Sequence, residues 1–528
     1  MSKSLKNISV VAVATMASRV LGLVRESLTA AVFGTSALVS AFFTAFQLPN
    51  LFRRLLGEGA LTAAFVPTLN EELEQRQRAG AFVLVSQVAS WLLVVSVVLV
   101  AAVMALLSRQ DWVGGVAAAC GADEKAVLRW QEAAQLSVLL FPYLIFVCMA
   151  AAFSAALQSI HRFLEPALSP IWLNLAMIVL LGGSAYYGWA DTSEGEIHWL
   201  CAGVLIGGCL QMLVPAVTLM REGWTPRFDL RMSAPVRAIL RLMGPTVFGS
   251  AIYLINMTVS RLVGLSLNDT AVAVLNFAQR LMELPIGVFA VAISTVVFPL
   301  ISRYAAQGDY TNLTHAYRKG MRLILMINTP AALGLTVLAT PIVRLLFQRG
   351  AFSESDTHLM VPVMAAYALG LPFFSFVNLV LRAFYAQKDT VTPVRAAAWS
   401  FVVNLALSLA LMGPLSTVGL ALAGNLAIVV QAWYLQRALA RKRPSLAFHH
   451  LVRDLVKIIG ASLLMGVAVA AGWWGWQRLM PPTHWADAAA LVVLIGAGVA
   501  VYAGLLWAFK IEGRDDLIAL WRRRRAAT

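Results

Sequence analysis

Apolar stretches of about 20 residues, each long enough to cross roughly 30 Å of hydrocarbon, recur from one end of this 528-residue chain to the other. Inside lipid every backbone N–H and C=O must find its partner within the structure, so stretches of this kind have one economical solution, a bundle of spanning helices. Fourteen are read, at 8–33, 36–56, 81–107, 134–158, 166–189, 197–220, 238–263, 270–300, 320–347, 358–386, 394–412, 415–436, 454–476 and 486–509. With 60% apolar residues, 13% charged and a mean hydropathy of +0.76, the composition excludes a soluble domain. The predicted fold class is therefore all-α integral membrane, with fourteen transmembrane helices and small loops.

A net charge of +15 would suit a nucleic-acid binder, but its distribution does not. With the N-terminus placed in the cytoplasm and the spans alternating, most Lys and Arg fall on the inner side, including Lys3, Lys6, Arg76, Arg78, Arg227, Arg231, Arg441, Lys442, Arg443 and Arg522 to Arg525. Asp191 to Glu196 then forms an acidic outer loop. This predicts a multi-pass protein with both termini cytoplasmic, its basic runs setting topology and meeting anionic membrane lipids, with no nucleic-acid partner. The first apolar segment is too long, and too charged in its middle, for a cleavable signal peptide. Cys120, Cys148, Cys201 and Cys209 lack metal-ligand or redox spacing and read as packing residues.

An internal repeat organises the chain. FPYLIFV around Pro142 is answered by LPFFSFV around Pro372, and LNLAM around Asn174 by VNLAL around Asn404, both pairs 230 residues apart. AFVPTL at Pro67 and VVFPLI at Pro299 are 232 apart. The period contains six spans, an even number, so the copies insert in the same orientation about an axis along the membrane normal. The predicted organisation is an N-terminal lobe at 1–221, a C-terminal lobe at 222–437, and a basic linker with two extra helices and a tail at 438–528. Substrate would bind between the repeats.

Charge inside spans is costly and marks function by default. Arg19 and Glu26 lie seven residues apart on one helical face, with Arg25 beside them; Arg53 and Arg54 end the second span near Pro49 and Gly57; Arg280 and Glu283 lie one turn apart before Pro285. Arg261 and Arg382 add positive charge, and Glu58 in the GEGA turn either gates the cytoplasmic side or caps a helix. Arg25 with Glu26, and Arg280 with Glu283, are candidate ion pairs. A guanidinium fork matches phosphate oxygens two at a time, so this arginine-rich interior suits a phosphorylated or otherwise anionic substrate.

The segments SRVLGLVRE, AFFTAFQLPNLFRRLLGEGALTAAFVP and QRLMELPIGVFAVAISTVVFPLIS resemble the MurJ (MviN) family, the lipid II flippases of peptidoglycan synthesis in the multidrug/oligosaccharidyl-lipid/polysaccharide exporter superfamily. The similarity runs over nearly the whole chain. It implies a transporter, not an enzyme, that moves undecaprenyl-diphosphate-linked disaccharide-pentapeptide outward across the bacterial cytoplasmic membrane, with cell-wall synthesis proteins as candidate partners. By motif position Arg19, Arg25, Arg53 or Arg54, and Arg280 match the family's cavity arginines, and Glu26 stands where many members have aspartate. Helices 13 and 14 resemble the family's extra pair, whose groove is thought to hold the polyprenyl tail. The chain departs from the family at Ser40, where an acidic residue is frequent, and at Gln279, where aspartate is frequent. No ligand set for the sodium site of some members can be matched; Asp389 and Asn404 are the weak candidates, and a capping role suits Asp389 better. No cofactor is implied, and without a nucleotide-binding G-x-x-x-x-G-K-[ST] loop the drive would be the membrane potential or a monovalent cation. A flippase for another undecaprenyl-diphosphate-linked glycan shares the basic cavity. A multidrug antiporter would need carboxylates not shadowed by arginine, and a glycosyltransferase more than the solvated Glu71, Glu72 and Glu74.

Overall fold

The computed structural model describes residues 3–53, 61–286, 291–387, 389–481 and 483–511. Every regular element among them is helical. Among the described residues eight helices are long and apolar enough to cross a membrane, or nine if one bent pair is a single span. The chain divides into two compact units, Met1–Ala273 with Gly350–Phe352, and Val274–Arg349 with Ser353–Thr528.

The first unit carries α1 (Lys3–Phe33), α2 (Ala37–Arg53), α3 (Thr62–Leu107), α4 (Gln110–Ala119), α5 (Glu124–Leu140), α6 (Tyr143–Ser159), α7 (Leu164–Tyr187), α8 (Ser193–Arg221) and α9 (Ala234–Leu267). At 1.5 Å per residue the 46 residues of α3 would extend about 69 Å, over twice the hydrocarbon thickness. The rod is interrupted at Gln77, whose φ of 55° and ψ of −163° are not helical, within the charged run that precedes the apolar stretch. α5 begins on an Asp123 cap, its Oδ1 accepting from Ala126 N at 2.7 Å. α5 and α6 meet at Phe141–Pro142 with a 48° bend, so the stretch expected as one continuous helix at 134–158 is broken where proline removes a backbone donor.

α7 and α8 approach closely because α8 presents glycine. A Cβ on Gly203 would come within 2.8 Å of Met177 Cα, and one on Gly207 within 2.8 Å of Leu173 Cα. Small residues at this spacing let two helix backbones pack without intervening side chains. Beyond α8 the extended segment 222–233 lies along α3. Trp224 Nε1 donates to Ser86 Oγ at 3.0 Å, Asp229 N to Ser90 Oγ at 2.9 Å, and Ser233 Oγ to Gln87 Oε1 at 2.7 Å. Glu222 receives Arg162 at 2.6 Å and Arg78 at 3.2 Å, and those bonds hold its carboxyl below the usual range. The buried core gathers Phe65, Phe141, Leu144 and Phe153, the last packed on Trp224 with centroids 5.2 Å apart.

The second unit carries α10 (Ala271–Pro285) from Val274 onward, then α11 (Val291–Gln307), α12 (Tyr310–Val337), α13 (Ala339–Phe347), α14 (Glu354–Ala386), α15 (Val391–Lys442), α16 (Val452–Leu479) and α17 (His484–Ala508). α10 and α11 both lie in the stretch expected at 270–300, residues 287–290 between them falling outside the described residues, and the stretch expected at 320–347 is divided between α12 and α13. α14 opens on a capping box, Ser353 and Asp356 satisfying each other's backbone N–H. α15, 52 residues and about 78 Å of helix, is interrupted at Ser416 (φ 49°, ψ −133°). α16 and α17 are tied inward by Arg322–Asp454 at 2.7 Å, Arg344–Asp487 at 2.8 Å, and Tyr502 Oη donating to Met326 O at 2.8 Å. Their other face is apolar and bare, with Val467 67%, Val492 75% and Val499 64% exposed, as a lipid-facing surface should be.

Candidate functional site

The charged stripe on α1 is mostly packed away. Arg25 is 9% exposed and Glu26 2%, and the two side chains pair with each other. Arg25 Nη1 also donates to Asn174 Oδ1 on α7 at 3.0 Å and lies 3.7 Å from Met177 Sδ. Asn174 in turn donates from Nδ2 to Ser18 O at 3.2 Å, closing a loop between α1 and α7. One carboxylate oxygen, Glu26 Oε2, is buried with no hydrogen-bond partner among the described residues. Arg19, six residues and about 9 Å back along α1, is half-buried. In this conformation Arg25 and Glu26 form a buried pair with no net charge, and Arg19 is a further cation within the apolar part of α1.

Arg280 and Glu283 on α10 form the second predicted pair, Nη1 to Oε2 at 2.7 Å, but both stay accessible at 27% and 47%. Gln279 beside them is exposed. Arg382 on α14 sits over the Phe298 ring at 5.5 Å, a cation–π contact that partly offsets the cost of a charge in an apolar wall. Arg53 ends α2; its side chain, with Arg54 and Glu58, lies outside the described residues.

Ser40 is fully buried, and its hydroxyl bridges α2 to the turn between α9 and α10. It donates to Asp269 O at 2.7 Å and accepts from Ala273 N at 3.2 Å. A carboxylate here would accept the second bond but could not donate the first, so serine substitutes a neutral bridge for a charge. The same turn is held from α5 by residues the sequence did not single out. Arg129 Nη1 meets Asp269 Oδ1 at 2.7 Å, Arg129 Nη2 donates to Ser266 O at 3.1 Å, and Trp130 Nε1 donates to Ser266 Oγ at 3.0 Å. These partners lie 136 to 140 residues apart in sequence, beyond the reach of any local pattern. Arg261 on α9 donates to Val272 O at 3.4 Å.

Asp389 sits at the start of α15, where its Oδ1 accepts from Val391 N at 3.1 Å and Thr392 N at 3.0 Å, and its Oδ2 pairs with Lys442. Burial works against its charge, but the bonds from Lys442 and Thr392 outweigh it and hold the carboxyl at about 2. Asn404 lies about 22 Å farther along the same helix, so the two cannot share one ion. Among the described residues no three His, Cys, Asp or Glu side chains gather as a metal site.

A family profile described as "Lipid II flippase MurJ" matches residues 29–486. The chain belongs to the MurJ family. A "Probable lipid II flippase MurJ" of Rhizobium tropici is 33% identical over 95% of this chain and 93% of the relative. The "Lipid II flippase MurJ" of Burkholderia cenocepacia is 30% identical over 97% of each. A solved "Lipid II flippase MurJ, inward closed conformation" superposes with a TM-score of 0.76 at 26% identity, covering 96% of this chain and 99% of that one. An inward-facing multidrug resistance MATE transporter of the MOP superfamily shares the fold alone, with a TM-score of 0.62 at 18% identity over 82% and 95%. Membership in the MurJ family makes the chain a transporter, not an enzyme.

Proposed function

We propose that this protein is a lipid II flippase of the bacterial cytoplasmic membrane, moving undecaprenyl-diphosphate-linked disaccharide-pentapeptide from the inner to the outer leaflet by alternating access. The observation that carries the reading is the near full-length match to a solved lipid II flippase. The physical need agrees with it. A disaccharide-pentapeptide on a diphosphate cannot enter hydrocarbon unaided, whereas its isoprenoid tail need never leave it. The diphosphate is taken by guanidinium groups, with Arg19 of the first unit and Arg280 of the second as candidates because both are accessible among the described residues, and Arg53 or Arg54 as candidates by motif position. Arg25 and Glu26 act from below as the charged hinge between α1 and α7. The tail follows the groove of α16 and α17, and an inside-negative potential, about 2.3 kcal/mol per charge per 100 mV, favours release of the anion outward.

The architecture belonging to this reading has fourteen spans, two six-helix repeats and an added pair, with both termini cytoplasmic. Backbone conformation supports the repeat independently of the sequence motifs. Left-handed residues recur at Gln77 and Gly308, at Gly121 and Gly350, and at Gly188 and Ser416, separated by 231, 229 and 228 residues. The N-caps Asp123 and Ser353 are 230 apart, and the short helices α4 and α13 begin 229 apart. Turns and caps that cost local strain recur at one period when one supersecondary plan is used twice. The interruption in α15 also supplies the helix ends that separate spans at 394–412 and 415–436 require.

The test is lipid II exposure on the outer leaflet of cells depleted of their own flippase and supplied with this chain or its Arg280→Ala form. Exposure restored by the parent and not by a normally expressed variant supports substrate and site together. A correctly inserted parent that restores nothing transfers the assignment to another polyprenyl-linked glycan.

A further inference from the structure

A partly open cavity of about 230 Å³ lies wholly within the first unit, among α2, α4, α5 and α9, apart from the α1–α7 charge cluster. Leu48, Leu51, Val113, Ala134 and Leu265 give it an apolar wall, and among the described lining residues Arg261 is the charged one. It is larger than the roughly 150 Å³ apolar cavities that exclude water and take up benzene. Water would find few partners there, whereas the medium surrounding a membrane protein is acyl chain.

Depth and charge select the occupant. Leu265 stands two residues from the end of α9, and Leu51 fourteen residues into α2, so the cavity runs about 20 Å inward from the end of the bundle. Arg261 stands six residues, about 9 Å, from that same end of α9, near the depth at which a bilayer turns from headgroup to chain. Its bond to Val272 O fixes the guanidinium at this level. Two tryptophans mark the interface. Trp112, 46% exposed, sits on α4, which at ten residues is too short to span; Trp130 turns its ring to the cavity while its N–H is bonded to Ser266. A slot that is apolar for about two-thirds of a leaflet's depth and cationic at headgroup level has the charge profile of an anionic phospholipid in reverse.

We propose that this cavity is a binding site for one anionic phospholipid, an acyl chain lying along Leu48, Leu51 and Ala134 and the phosphate meeting Arg261. The full-length protein in nanodiscs of phosphatidylcholine doped with phosphatidylglycerol, either lipid carrying a diazirine on its acyl chain in trace amount, tests this by photolabelling and peptide mass spectrometry. Phosphatidylglycerol label should concentrate in the peptides covering 44–51 and 107–116, above that from phosphatidylcholine, and unlabelled phosphatidylglycerol should compete it away. Ala134→Leu, and independently Ser137→Leu, should lower labelling several-fold by filling the slot. Arg261→Gln should abolish the preference for phosphatidylglycerol while chain labelling persists. Label spread over α16 and α17 and unchanged in both filling variants overturns the proposal. So does equal labelling by the two lipids in the parent, or competition by undecaprenyl phosphate but not by phosphatidylglycerol, which would make the slot an isoprenoid site. The parent competition needs no variant and so stands even where a substitution disturbs folding.

Discussion

The two arginine–glutamate pairs expected from the sequence, Arg25–Glu26 and Arg280–Glu283, have the same chemistry and opposite circumstances. Arg25–Glu26 on α1 is sealed against α7, its guanidinium engaged by Asn174 and Met177 as well as by the carboxylate. Arg280–Glu283 on α10 is a one-turn pair with both side chains reachable by solvent. A buried pair strongly penalises the loss of one partner, because the other charge is stranded; an accessible pair contributes at most about 1 kcal/mol to stability and can exchange its partner for a ligand. The comparison separates two meanings of an essential arginine, one that holds helices together and one that holds substrate.

Removing Arg25 should have the largest effect. Arg25→Ala strands Glu26, already short of one partner, and should cost on the order of 3–5 kcal/mol, seen as a large fall in unfolding temperature in detergent together with lost lipid II exposure. The double change Arg25→Met with Glu26→Leu replaces the pair by apolar volume and should regain most of that stability. If it also regains transport, the pair serves only packing. If stability returns and transport does not, the charge itself is used.

Arg280→Ala should lose transport while its unfolding temperature stays close to the parent's, since its pair is half in solvent. A stability loss matching that of Arg25→Ala would erase the distinction between the two pairs. Asn174→Leu should fall between them. It removes the α7 acceptor of Arg25 and the bond to Ser18, and roughly 1–3 kcal/mol of stability should go with them in the same unfolding assay.

A third pair, Asp389–Lys442, calibrates the accessible end and should give the smallest effect. Its carboxyl is held at about 2, below the roughly 3.9 of an unfolded aspartate, so its contribution is complete above that value and fades as pH falls toward 2. With Lys442 half-exposed, screening should keep it under about 1 kcal/mol. Asp389→Asn should therefore unfold slightly earlier than the parent at pH 6, and the gap should narrow between pH 4 and pH 2. A gap that widened on acidification would reverse the assignment.

Hydropathy and proline placement made most of the helices legible, because in lipid a helix is specified by its own composition. The break at Pro142 had a visible cause; those at Gln77 and Ser416 had none, since neither residue type announces a left-handed backbone. The pair Arg280–Glu283 was readable because partners three residues apart share a helix face, and Arg25–Glu26 because two opposite charges stand side by side in an otherwise apolar run. What Arg25 meets on α7 was not, although Asn174 stood out as a repeat landmark: a lone polar residue in an apolar run signals that it needs a partner without saying which. Arg129 and Asp269 carried less signal still, the first in the second turn of α5 and the second in the turn before α10, where charge is ordinary.

The struts Arg322–Asp454 and Arg344–Asp487 make α16 and α17 permanent passengers of the second unit. That unit consequently presents a broader rim to the bilayer, finished in exposed valines, than it would without the pair. Any turning of it must shear more lipid, and a mismatch between rim height and hydrocarbon thickness costs a fraction of a kcal/mol per ångström along that greater perimeter. Membrane viscosity and thickness thus become kinetic loads on the second unit, so chain length and unsaturation of the surrounding lipid should set how quickly it turns.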